Sequence, residues 1–179
     1  MKNMFKTPHD IMLYAERTEA QEFGRPQRNY QACGFCGSVY FNKSWHHAAA
    51  LLGRAPIEPR RLWLTHCPAC RMVQHHQYEG MLTIKRVPHK FHANLYSAIK
   101  AFAERAYRKD CQHRIIKLEK KNSDTWVVTT TENQLAYKLG RHIKRAFNSA
   151  SLEIQYSEAP NDVERVTLSF QPLPMLSLA

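Results

Sequence analysis

Two cysteine pairs of identical spacing decide the fold at the N-terminal end of this chain: Cys33-Gly34-Phe35-Cys36 and Cys67-Pro68-Ala69-Cys70. Within each pair the thiols lie three positions apart, so both can bind one metal ion from a single tight turn. Two such turns supply the four sulfur ligands of a closed tetrahedral zinc site. Because four protein ligands leave no position for water, we predict one structural Zn²⁺ that takes no part in catalysis. The predicted ligands are Cys33, Cys36, Cys67 and Cys70.

Paired cysteines also occur in redox proteins and in disulfide scaffolds, and both interpretations stay open. A thioredoxin-like pair lies between a strand and a long helix, whereas Cys36 is followed by the strand-like residues 37–41. A secreted scaffold pairs its cysteines, but Cys111 is a fifth cysteine, and we find no signal peptide. We therefore expect a reducing compartment and a cytoplasmic protein.

The sequence around the two pairs is typical of a zinc ribbon, in which short β segments carry a cysteine pair at each tip. We assign this four-cysteine zinc ribbon to residues 31–80, with a loop of 30 residues between the two pairs. The preceding residues 1–30 are polar and carry charges of both signs. We predict that they form a flexible N-terminal arm.

Residues 81–171 predict an α+β domain with the order β-α-β-β-α-β-β. The first six elements match the split β-α-β (ferredoxin-like) arrangement, an antiparallel sheet with two helices on one face. We place the start of the second helix at Thr131, with Gln134 completing a capping box. Residues 172–179 are predicted to be a loose tail.

Positive charge is concentrated in the middle of the chain, whose formal net charge is +11. Residues 81–149 contain fifteen Lys and Arg against five Asp and Glu, whereas residues 150–179 contain one against four. Such an uneven distribution indicates a basic binding face, and the usual partner of such a face is nucleic acid. A solvated face that only keeps the protein soluble is the alternative.

A second motif follows the cysteine pairs at residues 128–140, with the sequence Val-Thr-Thr-Thr-Glu-Asn-Gln-Leu-Ala-Tyr-Lys-Leu-Gly. Together the two motifs resemble the archaeal and eukaryotic adaptor family that binds large ribosomal subunits and is named for nonsense-mediated decay. Small bacterial zinc-ribbon proteins similar to that family resemble this chain over nearly their whole length. The four cysteines match the metal ligands of the family. One position departs from the family pattern, since Glu132 stands where the family has Asp.

This resemblance implies a ribosome-associated protein that binds ribosomal RNA, with the large subunit favoured. Its role would be ribosome dormancy (hibernation), assembly or quality control. The larger relatives carry extra domains and export signals that we do not find here, so we do not expect a role in nuclear export. We expect a monomer that also contacts ribosomal proteins. We expect no membrane association, because no apolar run approaches the roughly 20 residues of a bilayer span.

Three basic groups are predicted to contact RNA: the second helix, a proline-containing bend, and the junction of the first strand with the first helix. Their residues are Lys138, Arg141, Lys144 and Arg145; Arg54, Arg60 and Arg61; and Lys85, Arg86 and Lys90. Aromatic side chains near basic residues or histidines are candidates for stacking on bases, although burial in the core or at its edge is the simpler explanation for each of them. These are Tyr40, Phe41, Trp45, Tyr78 and Tyr96.

Catalysis has little support in the sequence. We find no G-x-S-x-G, phosphate-binding loop or H-E-x-x-H motif, and we predict that the protein is not an enzyme. A DNA-binding or transcription-associated zinc ribbon is the main alternative, although neither a helix-turn-helix pair nor heptads are evident. An adaptor that binds an acidic protein partner is a third possibility.

Overall fold

The computed structural model describes residues 30–53, 62–156 and 164–171. Within these residues it has two mixed β-sheets and three α-helices, which confirms the mixed α+β class. Most of the predicted N-terminal arm, the proline-containing bend of residues 54–61 and the predicted tail lie outside the described residues.

The smaller sheet has the strand order β3-β2-β1-β4. Its strands are β1 (Tyr30–Cys33), β2 (Val39–Phe41), β3 (Ser44–His46) and β4 (Leu62–Thr65), and helix α1 (Pro68–His75) follows β4. Strand β1 pairs antiparallel with β2 and parallel with β4. Asn42 and Lys43, with φ of 50° and 64°, form the two-residue turn between β2 and β3. Two successive residues of positive φ are typical of the hairpin turn whose twist matches that of its strands.

The second cysteine pair follows strand β4, as predicted, but it leads into a helix that was not predicted. Cys67 has an extended backbone and is the N-cap of α1, Pro68 occupies the first turn, and the Cys67 sulfur accepts a hydrogen bond from the Cys70 backbone N–H. Proline is favoured at this position because its fixed φ suits a helix and its missing N–H would have no helical partner. The pair therefore lies between the end of β4 and the first turn of α1.

The larger sheet has the strand order β6-β7-β5-β9-β8. Its strands are β5 (Gly80–Lys85), β6 (Ile115–Lys120), β7 (Trp126–Thr130), β8 (Ala150–Tyr156) and β9 (Glu164–Phe170). Helix α2 (His92–Lys109) connects β5 to β6, and helix α3 (Asn133–Ala146) connects β7 to β8.

The place of β9 corrects the predicted ferredoxin-like sheet. Strand β9 lies between β5 and β8 and runs parallel to β5, so the sheet is mixed and not antiparallel throughout. Val166, Leu168 and Phe170 of β9 are buried, as befits an inner strand. Strand β8 carries the exposed residues Ser151 and Glu153 and forms the edge.

Both longer helices pack on one face of the larger sheet. Leu95 and Ile99 of α2 and Leu139 and Ile143 of α3 share one core with the buried side chains of the sheet. Strand β5 and α3 approach closely at Gly80, where an added Cβ would lie 2.7 Å from the Glu132 carbonyl oxygen. Because side chains alternate along a strand, the half-buried residues between the core positions line the opposite face.

Within the described residues, no helix is both long enough and apolar enough to cross a bilayer.

Candidate metal centre

All four predicted ligands come together at one place. Their sulfur atoms lie within 4.8 Å of one another, and the Cys36 and Cys67 sulfurs are 3.7 Å apart. Zn–S bonds of about 2.3 Å at tetrahedral angles separate the sulfurs by about 3.8 Å. The cysteines are free thiols and form no disulfide. The cluster can therefore hold one metal ion.

The pairing of β1 with β4 brings the two cysteine turns side by side. Cys33, the last residue of β1, is in register with Thr65 at the end of β4. One residue later, the Gly34 N–H donates to the Thr65 carbonyl at 2.9 Å. The first turn then closes through Gly37, whose N–H donates to the Cys33 carbonyl and whose φ is +69°. Glycine adopts this left-handed conformation without steric cost.

Hydrogen bonds to sulfur hold the cluster in place. The Cys67 N–H donates to the Cys33 sulfur at 3.3 Å, and the Cys70 N–H donates to the Cys67 sulfur at 3.4 Å. The Ser38 hydroxyl lies 3.0 Å from the Cys36 sulfur. N–H groups directed at sulfur stabilise the negative charge of a thiolate, which is the form that binds a metal.

The pKa values of the thiols indicate that the cluster needs a bound cation. Burial alone would raise the pKa of the Cys33 thiol, but backbone N–H groups, that of Cys67 first, outweigh it and lower this pKa to about 7. Burial raises the pKa of Cys67 to about 11. Burial, followed by the negative charge of Cys67, also raises the pKa of Cys70. Four adjacent thiolates therefore need a positive ion among them to remain ionised together.

The metal cluster packs against the C-terminal end of α2 and the residues that follow it. Cys33 and Cys67 share a small buried core with Trp45 and Cys111, and Tyr107 of α2 packs against it. The His47 ring nitrogen Nε2 lies 2.6 Å from the Tyr107 carbonyl oxygen. Cys111 is thus a buried packing residue beside the ligand set. These contacts bring no catalytic acid or base next to its thiol.

The loop of residues 110–114 connects the second cysteine turn to the start of α3. The Ala69 N–H donates to the Gln112 side-chain oxygen at 3.2 Å. The Thr131 hydroxyl donates to the Gln112 carbonyl at 2.7 Å and accepts from the Arg114 N–H at 2.9 Å. The prediction that Thr131 caps the helix is wrong, because Glu132 is the N-cap residue and makes no side-chain capping bond. Thr131 instead bonds to this loop.

A cleft of about 290 Å³ lies beside this loop and contains an ion pair that the sequence did not reveal. The His113 nitrogen Nε2 is 2.8 Å from a carboxylate oxygen of Glu132. The hydrogen bond that His113 donates to the Glu132 carboxylate raises the pKa of His113, and the same bond lowers the pKa of Glu132. The Glu132 side chain thus links the start of α3 to the loop that carries His113.

The predicted basic residues of α3 all lie on its exposed side: Lys138, Arg141, Lys144 and Arg145. We call these four residues the basic face. Helix α3 contains no Asp or Glu, so no carboxylate on the helix neutralises the face. Helix α2 extends it, since an Arg105 guanidinium nitrogen lies 3.2 Å from His142 Nε2. Burial, followed by Arg105 and Arg145, lowers the pKa of His142. Arg105 was not singled out in the sequence because its apposition to α3 depends on helix packing.

The predicted group at the end of β5 is also exposed. Lys85 ends the strand, Arg86 follows with φ of 55°, and Lys90 lies in the next turn. The ring of Phe91, beside Lys90, contacts the ring of Phe147 at 5.4 Å between centroids. Since Phe147 directly follows α3, the turn carrying Lys90 lies against the C-terminal end of the helix that bears the basic face. Arg54, Arg60 and Arg61 lie outside the described residues.

The candidate stacking residues differ in their exposure. Trp45 and Tyr78 are buried, in agreement with the core interpretation of these two residues. Tyr40 and Phe41 are half-buried, and Tyr96 is exposed on α2. The structure instead exposes two aromatic residues that were not predicted, Phe35 and Trp63.

Comparison with known proteins adds no family to this description. No protein-family model matches the chain, and no curated protein or solved structure is significantly similar to it. The resemblance to the ribosomal adaptor family therefore stays a prediction, and the site is interpreted from its own geometry.

Proposed function

We propose that this chain is a cytoplasmic, zinc-binding protein that binds ribosomal RNA on the ribosome, with the large subunit as its preferred partner. It acts by binding and not by catalysis, as a monomer, in ribosome dormancy, assembly or quality control. The observation that carries this proposal is the basic face, four exposed cations on a helix without a carboxylate.

Zn²⁺ is the metal that best fits the cluster. Four thiolates in a tetrahedral arrangement favour Zn²⁺ or iron–sulfur chemistry, and a single-ion site with sulfurs 3.7 Å apart suits Zn²⁺. Two of the ligands, Cys33 and Cys67, are buried. All four positions of the ion are taken by protein, so its role is to hold the two cysteine turns together.

The basic face suits a phosphate backbone. Cations that neutralise phosphates release condensed counterions, and this release drives binding that weakens steeply with salt. The opposite side of α3 is buried through Leu139 and Ile143, so the helix cannot rotate its cations away from the surface. The loop of residues 110–114 bonds both to the second cysteine turn and to the start of α3, and this joins the metal centre to the basic face.

The position of the cations on α3 favours binding to a broad RNA surface over binding in a DNA groove. The recognition helix of a helix-turn-helix protein contacts base edges with its N-terminal residues. The cations of α3 instead lie in its middle and last turns, and α2 lies beside it at the Arg105–His142 contact. Double-stranded RNA is recognised mainly through its shape and its backbone, which a broad basic surface can follow.

Sedimentation with purified large ribosomal subunits through sucrose at moderate salt tests the proposal. We expect the protein to pellet with the subunits and a double reversal, Arg141→Glu with Arg145→Glu, to stay near the top. The matched control, Lys100→Glu with Lys120→Glu, changes the net charge equally in a groove between α2 and β6 and should pellet normally. Wild-type protein that stays at the top would refute ribosome binding. Pelleting that survives nuclease digestion would favour a protein partner, and preference for duplex DNA in competition would favour the DNA-binding alternative.

A further inference from the structure

Exposed apolar side chains surround the two cysteine turns. Phe35 lies between two ligands of the first turn and is 68% exposed, and Leu64 at the end of β4 is 72% exposed. The ring of His66, the residue before Cys67, meets the Phe35 ring edge-on at 4.7 Å. Phe35, Leu64 and His66 line one shallow cavity of about 330 Å³. We call these three residues the stacking patch.

The patch is held rigidly, so it would lose little conformational freedom when a ligand binds. Cys33 and Cys36 flank Phe35 within two residues, and Cys67 directly follows His66. The backbone between them is joined by the hydrogen bond from the Gly34 N–H to the Thr65 carbonyl. Small conformational cost is a property of preorganised binding sites.

Its chemistry fits an unpaired nucleobase. Most of the Phe35 side chain is exposed, and unpaired bases stack on exposed aromatic faces without regard to sequence. Strand β4 is an edge strand of the smaller sheet within the described residues. The loop of residues 110–114 joins the metal centre to the start of α3, the helix that carries the basic face. Aromatic surface together with cationic residues is the combination with which proteins bind single-stranded nucleic acid.

We propose that the stacking patch receives an unpaired base of the bound RNA, so that the protein recognises a single-stranded loop or end flanked by the phosphates that the basic face contacts. This inference rests on the proposed function and adds to it the class of RNA element. The basic face supplies the electrostatic part of binding to any RNA, and the stacking patch supplies the preference for unpaired bases.

The test compares two labelled probes by fluorescence anisotropy: a single-stranded RNA of ten adenosines and an RNA duplex of ten base pairs. We expect Phe35→Ala to weaken binding of the single strand about tenfold, as expected for the loss of one stacked base, and to leave duplex binding unchanged. Phe35→Trp should retain the affinity, because it keeps an aromatic face. Leu52→Ala, which removes an exposed apolar side chain outside the stacking patch, is the matched control and should bind both probes normally.

The outcomes separate this inference from the proposed function. If Phe35→Ala binds the single strand as tightly as the wild type while Arg141→Glu with Arg145→Glu binds both probes weakly, the stacking inference is wrong and RNA binding stands. If the wild type binds neither probe nor ribosomes, both are wrong. If Phe35→Ala binds RNA normally but no longer pellets with ribosomes, the patch binds a protein and the inference is overturned. Unchanged zinc content of Phe35→Ala establishes that the variant is folded at the metal centre.

Discussion

Replacing Gly80 with alanine should lower the free energy of unfolding by about 2–3 kcal/mol, because β5 has no room for a side chain where α3 begins. The added Cβ would lie 2.5 Å from the Thr130 hydroxyl, 2.7 Å from the Glu132 carbonyl oxygen and 2.9 Å from the Ala136 Cβ. The last two atoms are fixed to the backbone. Only the Thr130 hydroxyl can rotate, and in rotating it would lose its 2.8 Å hydrogen bond to the Glu132 carbonyl.

The expected loss of unfolding free energy is the sum of three contributions. Overpacking a well-filled core costs about 1–3 kcal/mol, and the lost hydrogen bond costs about 1 kcal/mol. Alanine offsets about 0.4–1 kcal/mol of this, because it restricts the unfolded chain more than glycine does. The sum is close to 2–3 kcal/mol and is expected as a lower urea midpoint with an unchanged slope.

Gly34→Ala is the matched control. No atom lies within 4 Å of the Cβ that it would add, so its unfolding free energy should stay within about 1 kcal/mol of the wild type, with any change in the stabilising direction. Equal stability of Gly80→Ala and Gly34→Ala in urea titrations followed by circular dichroism would refute the close packing of α3 on β5. The position assigned to the basic face would then also be wrong.

Three further predictions concern the ligand set, the ion pair and the basic face. Cys33→Ser should abolish zinc binding and lower the unfolding temperature, whereas Cys111→Ser should keep one zinc per chain by elemental analysis; full zinc content in Cys33→Ser would contradict the assigned ligands. The His113–Glu132 pair should stabilise the protein most between pH 4.5 and 6.5, the ordinary pKa values of the two groups. Its contribution should disappear as the pH rises through the raised pKa of His113 or falls through the lowered pKa of Glu132. With Glu132 43% exposed, the difference between wild type and Glu132→Gln should be at most about 1 kcal/mol, and a difference that grows at alkaline pH would contradict the pairing. Arg141→Glu with Arg145→Glu should reduce the salt dependence of RNA binding by the equivalent of about two phosphate contacts, and an unchanged slope would remove the basic face from the interface.

The spacing of the cysteines predicted which residues gather, because two residues three positions apart can meet at one ion only in a tight turn. It did not predict the backbone after the second pair, where Pro68 starts a helix. The preference of proline for the first helical turn was a signal for this in the sequence. A β tip was predicted because strand-like residues precede the second pair, and these residues do form β4.

Sheet order could not be obtained from the alternation of apolar and polar residues. Strands β8 and β9 both alternate, so the pattern does not tell which of them is the inner strand. The choice depends on Val166, Leu168 and Phe170, which pack under both helices in the shared core. In the same way, the apposition of Arg105 to His142 and of His113 to Glu132 depends on elements distant in sequence. Helical periodicity did predict that the cations of α3 lie on its exposed side.

The central claim, that a metal-stabilised basic protein binds ribosomal RNA through phosphates, is tested most directly by the affinity of the zinc-loaded protein for purified large-subunit RNA measured across a series of salt concentrations. If the four cations of the basic face each neutralise one phosphate, the logarithm of the association constant should fall against the logarithm of salt concentration with a slope of about −3 to −4. A slope near zero, or no binding at the lowest salt, would contradict it.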